Sequence, residues 1–189
     1  MKSLKVKIEK NSIVTFLNKY GPWALVVGAA EGLGEAYTKV LAARKMNIIL
    51  VDHQADKMQA LAAEMGKEHG IECHQIHLDL KDTEAHSMIM EALKSLEVGL
   101  LIYNAAKSLI KPFIKYNPEE INDFLEINTR QQMLLVHAFS QKLVKQERGG
   151  GILLMSSLAG LIGMQLVSPY AATKAFAWNL AEGLYHDLK

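Results

Sequence analysis

The chain has 189 residues, half of them apolar, enough to bury one folded domain and too many for a disordered one. Its 21 basic residues against 20 acidic ones leave a net charge of +1, which removes the electrostatic case for a nucleic-acid partner. The single cysteine, Cys73, excludes an intrachain disulfide and a cysteine-rich zinc site, and the seven histidines form no ligand cluster.

Residues 1–20 alternate charged and apolar side chains without a continuous apolar core, so they do not read as a secretion signal. No stretch reaches the roughly 18 apolar residues of a membrane span, and cytoplasm is the default location. Residues 1–20 are expected to form an N-terminal extension, a helix or arm packed on a domain covering 21–189.

Five apolar runs then read as buried strands: residues 24–27 (ALVV), 47–51 (NIILV), 73–78 (CHQIHL), 100–103 (LLIY) and 151–155 (GILLM). Amphipathic patterns between them predict helices near 34–45, 55–69 and 83–96, one led in by Pro118, a segment running to about 146, and a last helix from about Pro169. Apolar strands alternating with helices imply a doubly wound α/β fold, in which a parallel sheet is covered on both faces. Ligands of such a fold sit beyond the carboxyl ends of the strands.

The first strand runs straight into Gly28-Ala-Ala-Glu31-Gly32-Leu33-Gly34, which opens a helix. Glycines at this spacing let the backbone turn tightly and approach a pyrophosphate, whose charge meets free N–H groups at the helix start. Gly28, Glu31, Gly32, Leu33 and Gly34 are therefore candidates for a dinucleotide site. Asp52 ends the second strand, eighteen residues after Gly34, where a carboxylate accepts ribose hydroxyls and repels a 2′-phosphate. That favours NAD, with NADP left open by the neighbouring His53; the plainer role for Asp52 is a cap on the next helix. Asp79, followed by Leu80, comes after the third strand, where it can meet an adenine amino group or simply form a turn.

The spacing Tyr-x-x-x-Lys occurs three times, at Tyr103/Lys107, Tyr170/Lys174 and Tyr185/Lys189. On a helix such residues are neighbours, and a cation within ~4–6 Å of a phenol favours the phenolate, making it a usable proton exchanger. Tyr103 ends a strand and Tyr185 lies far down the last helix, where packing or an interface is the expected role. Tyr170 alone begins a helix close to a strand end, and that strand is followed by Ser156-Ser157, hydroxyls placed either to polarise a carbonyl or to cap a turn.

Together these residues resemble the short-chain dehydrogenase/reductase family from about Gly21 to Lys189. The likeness rests on the Gly28/Gly32/Gly34 turn, Asp79, Asn104-Ala105-Ala106, Asn128 in Ile-Asn-Thr, Ser157 in Ser-Ser-Leu-Ala-Gly and Tyr170-Ala-Ala-Thr-Lys174, with Ser157 thirteen residues before Tyr170. The resemblance implies a dinucleotide cofactor and interconversion of a secondary alcohol and a ketone. Tyr170 would exchange the proton, Lys174 support it and hold the nicotinamide ribose, and Ser157 orient the substrate oxygen. Asn128 would support a water-linked path to Lys174. A small-molecule substrate and a homodimer or homotetramer follow by the same likeness, with the helices around 127–145 and 170–188 as pairing surfaces.

The phrases Tyr20-Gly-Pro-Trp-Ala and Ser95-Leu-Glu-Val-Gly-Leu-Leu-Ile are similar to the branch of 17β-hydroxysteroid and long-chain 3-ketoacyl-CoA reductases, which implies an apolar substrate and, commonly, NADP. Val27 stands where the family usually has threonine, and Tyr103-Asn-Ala-Ala106 replaces Asn-Asn-Ala-Gly. Family members usually continue through two more strands, so a C-terminally truncated domain is expected. The competing reading is a nucleotide-binding or assembly module without catalysis.

Overall fold

The computed structural model describes residues 10–188. Trp23–Val27 (β1), Asn47–Asp52 (β2), Cys73–His77 (β3), Val98–Tyr103 (β4) and Gly151–Leu154 (β5) pair in parallel in the order β3-β2-β1-β4-β5. Side chains along a strand alternate between the faces of the sheet, so each inner strand feeds two cores. On one face Leu25, Val27, Ile49, Val51, Leu101 and Tyr103 pack together; on the other lie Ala24, Val26, Ile48, Leu50 and Ile102. Every residue of β1 and β4 is buried, which explains runs without polar alternation.

Gly32–Ala43 (α2) and Ala55–His69 (α3) cover the second face through Leu41, Met58, Leu61 and Met65. Ala85–Ala92 (α4) and Gln131–Gln146 (α6) cover the first through Ile89, Leu135, Val136 and Phe139. The remaining helices are Lys10–Tyr20 (α1), Pro118–Leu125 (α5) and Ser168–Asp187 (α7). In α1, Phe16, Leu17 and Tyr20 pack against the second core, so the part of 1–20 that the structure describes is a helix docked on the sheet. Residues 1–9 of the expected extension, and Lys189 of the third Tyr-x-x-x-Lys pair, lie outside the described residues. Among the described residues no helix is long and apolar enough to cross a membrane.

Two expectations change in detail. The run 73–78 is buried only at Leu78: β3 is an edge of the sheet, with Cys73 and Ile76 half-buried and His74, Gln75 and His77 exposed, as its polar residues permit. The helix expected over 83–96 is regular only from Ala85 to Ala92, after which the chain turns into β4.

One irregularity positions the site. Asn117 caps α5 in a reciprocal box with Glu120, and Pro118 supplies a preset first turn. The helix then continues into α6 through a π turn at Glu126–Arg130 that carries the buried Asn128. Such turns are wider than α and recur at functional sites. The chain moves from β1 outward to β2 and β3, then crosses back to β4 on the other side, so the strand order reverses between β1 and β4. That switch point is where a doubly wound sheet leaves a crevice.

Candidate active site

A cavity of about 460 Å³ opens at that crevice, in the ~300–1,000 Å³ range of cofactor sites. Eight of the residues singled out from sequence line it: Gly28, Glu31, Asp52, Asp79, Leu80, Asn104, Ala105 and Ala106.

Two glycines are required by the turn at its edge. Gly28 has φ +78°, and a Cβ there would lie 2.6 Å from the Ala105 nitrogen; a Cβ on Gly34 would lie 1.9 Å from the Gly28 carbonyl oxygen. The turn is therefore closed on itself, with Asn104 Nδ2 donating to the same carbonyl at 2.9 Å and both Asn104 and Ala105 N–H groups donating to Val27 O at 2.9 Å. Gly32 has φ +60° and open space around it, whereas Leu33 is exposed and, like Gly32 and Gly34, stands off the cavity lining. This cradle, bare where a Cβ would intrude, suits a pyrophosphate at the start of α2.

Asp52 is buried and does more than cap. Its Oδ2 accepts the Ala30 N–H at 3.0 Å, tying the end of β2 to the glycine turn, while Oδ1 accepts Gln54 N–H at 3.1 Å and His53 Nδ1 lies 3.2 Å away. Each oxygen keeps further acceptor capacity toward the cavity. Glu31 pairs with Lys57 at 2.5 Å across the same rim, and that ammonium holds the Glu31 carboxyl below its usual range. Asp79 is exposed; its Oδ1 accepts Lys81 N–H at 3.0 Å, as a turn residue does, and Oδ2 lies 3.4 Å from Lys81 Nζ.

The proton-transfer candidates stand beyond the cavity. Pro169 in the first turn of α7 brings Tyr170 and Lys174 onto one helix face, with the Lys174 ammonium 5.6 Å from the centre of the Tyr170 ring. Lys174 is buried, donates to the Met155 carbonyl at 2.6 Å, and burial pushes its pKa down to about 8. Below that value it remains a cation beside the phenol. The two serines divide their work: Ser156 Oγ donates to the Lys174 carbonyl at 2.8 Å, and Ser157 Oγ accepts the Ala159 N–H at 3.2 Å. Ser157 is thus a cap whose hydroxyl proton is left for another acceptor. Gly160 seats this segment, because a Cβ there would come 2.7 Å from the Lys174 carbonyl carbon.

Asn128 is fully directed. Its Oδ1 accepts Lys107 N–H at 2.7 Å, and Nδ2 donates to Lys107 O at 3.0 Å and Thr173 Oγ1 at 2.9 Å. Its side chain therefore joins the loop after β4 to α7. Lys107 and Thr173 were not visible as site residues in the sequence; only the position of Thr173 between Tyr170 and Lys174 hinted at it. Tyr103 behaves as its strand-end position predicts: its buried hydroxyl donates to Ile127 O at 2.7 Å, and burial raises its pKa. Lys107 meanwhile pairs with Asp123 at 2.6 Å, so these two residues do not work together. Tyr185 is exposed on α7.

Comparison with known proteins gives a consistent picture. The family model for short chain dehydrogenase matches residues 22–189. The chain is 30% identical over 174 residues to a 7beta-hydroxysteroid dehydrogenase of Clostridium sardiniense, an alignment covering 92% of this chain and 66% of that protein. A very-long-chain 3-oxoacyl-CoA reductase of Laccaria bicolor is 29% identical over 175 residues, covering 90% of this chain and 52% of the relative. Among solved structures, a short-chain dehydrogenase from Sphingobium yanoikuyae in complex with NADPH superposes with a TM-score of 0.84 at 28% identity, covering 88% of this chain and 65% of that one. The chain thus spans between about half and two thirds of the length of the proteins it matches.

Proposed function

The chain belongs to the short chain dehydrogenase family, and on that premise we propose that it is the dinucleotide-binding and proton-transfer part of an oxidoreductase that interconverts a secondary alcohol and a ketone. The observation that carries the reading is the placing of Tyr170 and buried Lys174 on one turn of α7, tied to the segment after β5 by Ser156, the neighbour of Ser157. In this reading residues 21–189 are the nucleotide-binding domain and 1–20 an extension to it.

The residues present fit a nicotinamide dinucleotide. Gly28, Gly32 and Gly34 would take the pyrophosphate, Asp52 the adenosine ribose, Asp79 and Leu80 the adenine, and Asn104 to Ala106 the middle of the molecule. Bound there, the cofactor supplies hydride exchange at the substrate carbon. Tyr170 Oη gives its proton to the carbonyl oxygen in reduction and takes it back in oxidation. The Lys174 ammonium stabilises the phenolate that this leaves. Ser157, its oxygen already occupied by Ala159 N–H, turns its own proton toward the substrate oxygen.

The negative charge of Asp52 supports NAD over NADP, since a 2′-phosphate would meet a buried carboxylate. An apolar, steroid-like or acyl substrate is supported by the loops after β4 and β5, where Phe113, Ile114, Leu158, Ile162 and Met164 are exposed. Those loops are joined by Lys111 N–H donating to Leu166 O at 2.9 Å. Apolar side chains on the outer faces of α6 and α7, among them Met133, Val144 and Trp178, support pairing into a dimer or tetramer.

Tyr170→Phe tests the reading. Turnover of a secondary alcohol is expected to fall at least ~100-fold while NADH binding, followed by energy transfer from the tryptophans, stays within about twofold. Undiminished turnover refutes the proton-transfer role; tight NADH binding without turnover in the parent chain favours a nucleotide-binding module.

A further inference from the structure

The amide of Asn128 and the first turns of α7 meet at a single hydroxyl. Thr173 Oγ1 donates to the Tyr170 carbonyl at 2.9 Å and accepts from Asn128 Nδ2 at 2.9 Å. A threonine hydroxyl owns one proton, so these directions fix each other: the proton goes to Tyr170 O and a lone pair receives the amide. The rest of Asn128 is spent on both backbone groups of Lys107, so its amide cannot swing to another partner without breaking that pair. Asn128 is 2% and Thr173 5% exposed, which leaves little room for water to replace either bond.

A continuous path results. It starts in the loop after β4 that lines the cavity, crosses the π turn, and ends on the backbone of Tyr170, one helical turn before Lys174. We propose that Thr173 is a positioning residue: its hydroxyl sets the register of α7 against the π turn and so holds Tyr170 and Lys174 in place relative to the loop that lines the cavity. This rests on the reading of Tyr170 as the proton exchanger. Valine would fill nearly the same space, yet it would leave a buried Asn128 N–H unpaired and release the Tyr170 carbonyl from its second donor. A helix freed at its first turn need shift only by about 1 Å to cost up to ~100-fold in rate.

The test compares the parent chain with Thr173→Val and Thr173→Ser, labelled with [13Cζ]tyrosine and with the Tyr170 resonance assigned through Tyr170→Phe. The valine variant is expected to displace the Tyr170 resonance and to lower kcat roughly 10–100-fold, with KM for the dinucleotide changed less than about twofold. Serine, which keeps the hydroxyl, is expected to restore both. An unmoved resonance with kcat within about twofold of the parent overturns the proposal, as do valine and serine variants that behave alike. If the valine chain does not fold, Thr173→Cys, with a weak donor of similar size, replaces it under the same criteria. A parent chain that turns over no alcohol defeats the functional reading, while the resonance comparison still decides the coupling through Thr173.

Discussion

Replacing Gly34 by alanine is expected to destabilise the chain, although alanine is the better helix former. In an open helix the exchange gains up to ~1 kcal/mol. Here the new Cβ would lie 1.9 Å from Gly28 O and 2.9 Å from Asn104 Nδ2, so the turn must open by about an ångström. Overpacking of that kind costs ~1–3 kcal/mol, and the Asn104 bond to Gly28 O, worth ~1 kcal/mol, is lost with it. The net is about 2 kcal/mol, or a fall in melting temperature of roughly 4–8 °C for a chain of this size. NADH affinity should drop at least ~10-fold if the proposed site is right, because the displaced carbonyl belongs to Gly28, which lines the cavity. Gly183, inside α7 one turn before its end and with no atom within 4 Å of its would-be Cβ, is the control: Gly183→Ala should raise the melting temperature by ~2–3 °C. Thermal melts followed by circular dichroism, with NADH titrations of each variant, read both effects. A Gly34→Ala chain that melts as high as Gly183→Ala and binds NADH as the parent does would refute the steric argument.

Lys174 makes stability depend on pH. Unfolded, a lysine keeps its proton to about pH 10.5; folded, buried Lys174 releases it near 8. Between those values the unfolded chain binds more protons, so stability should climb with pH, by at most ~3 kcal/mol, and be flat with respect to this group below 8. Urea melts at pH 7.5 and 10 in the parent and in Lys174→Met check this, the variant losing the climb. Asp52→Ala removes the acceptor shared by the glycine turn and Gln54 N–H. It should lower stability by ~1–3 kcal/mol and narrow any preference for NADH over NADPH at least ~10-fold, as seen in paired cofactor titrations. Unchanged selectivity would remove Asp52 as the discriminating group.

Much of the fold is readable in the sequence. Strands β1, β2, β4 and β5 are buried or half-buried apolar runs, and helices α2 and α3 show a plain helical period, because both kinds of element bury residues in patterns local to the chain. The glycine turn was readable for the same reason: a strand, three glycines and a helix follow one another within a dozen residues. Edge position was not readable, since whether His74 and Gln75 meet water depends on which strand lies beside β3.

The sequence alone determined the α/β alternation, the glycine turn and the Tyr170/Lys174 spacing, because each depends on residues a few positions apart whose geometry the backbone imposes. Only the tertiary structure decided what those groups touch. It joined Asp52 to Ala30 across 22 residues and Asn128 to Thr173 across 45, it gave Tyr103 and Lys107 their partners Ile127 O and Asp123, and it buried Lys174 against Met155 O. Hydrogen-bond direction, burial and the resulting shift of a titrating group are set by neighbours brought in from distant segments, and no local pattern encodes which neighbours arrive.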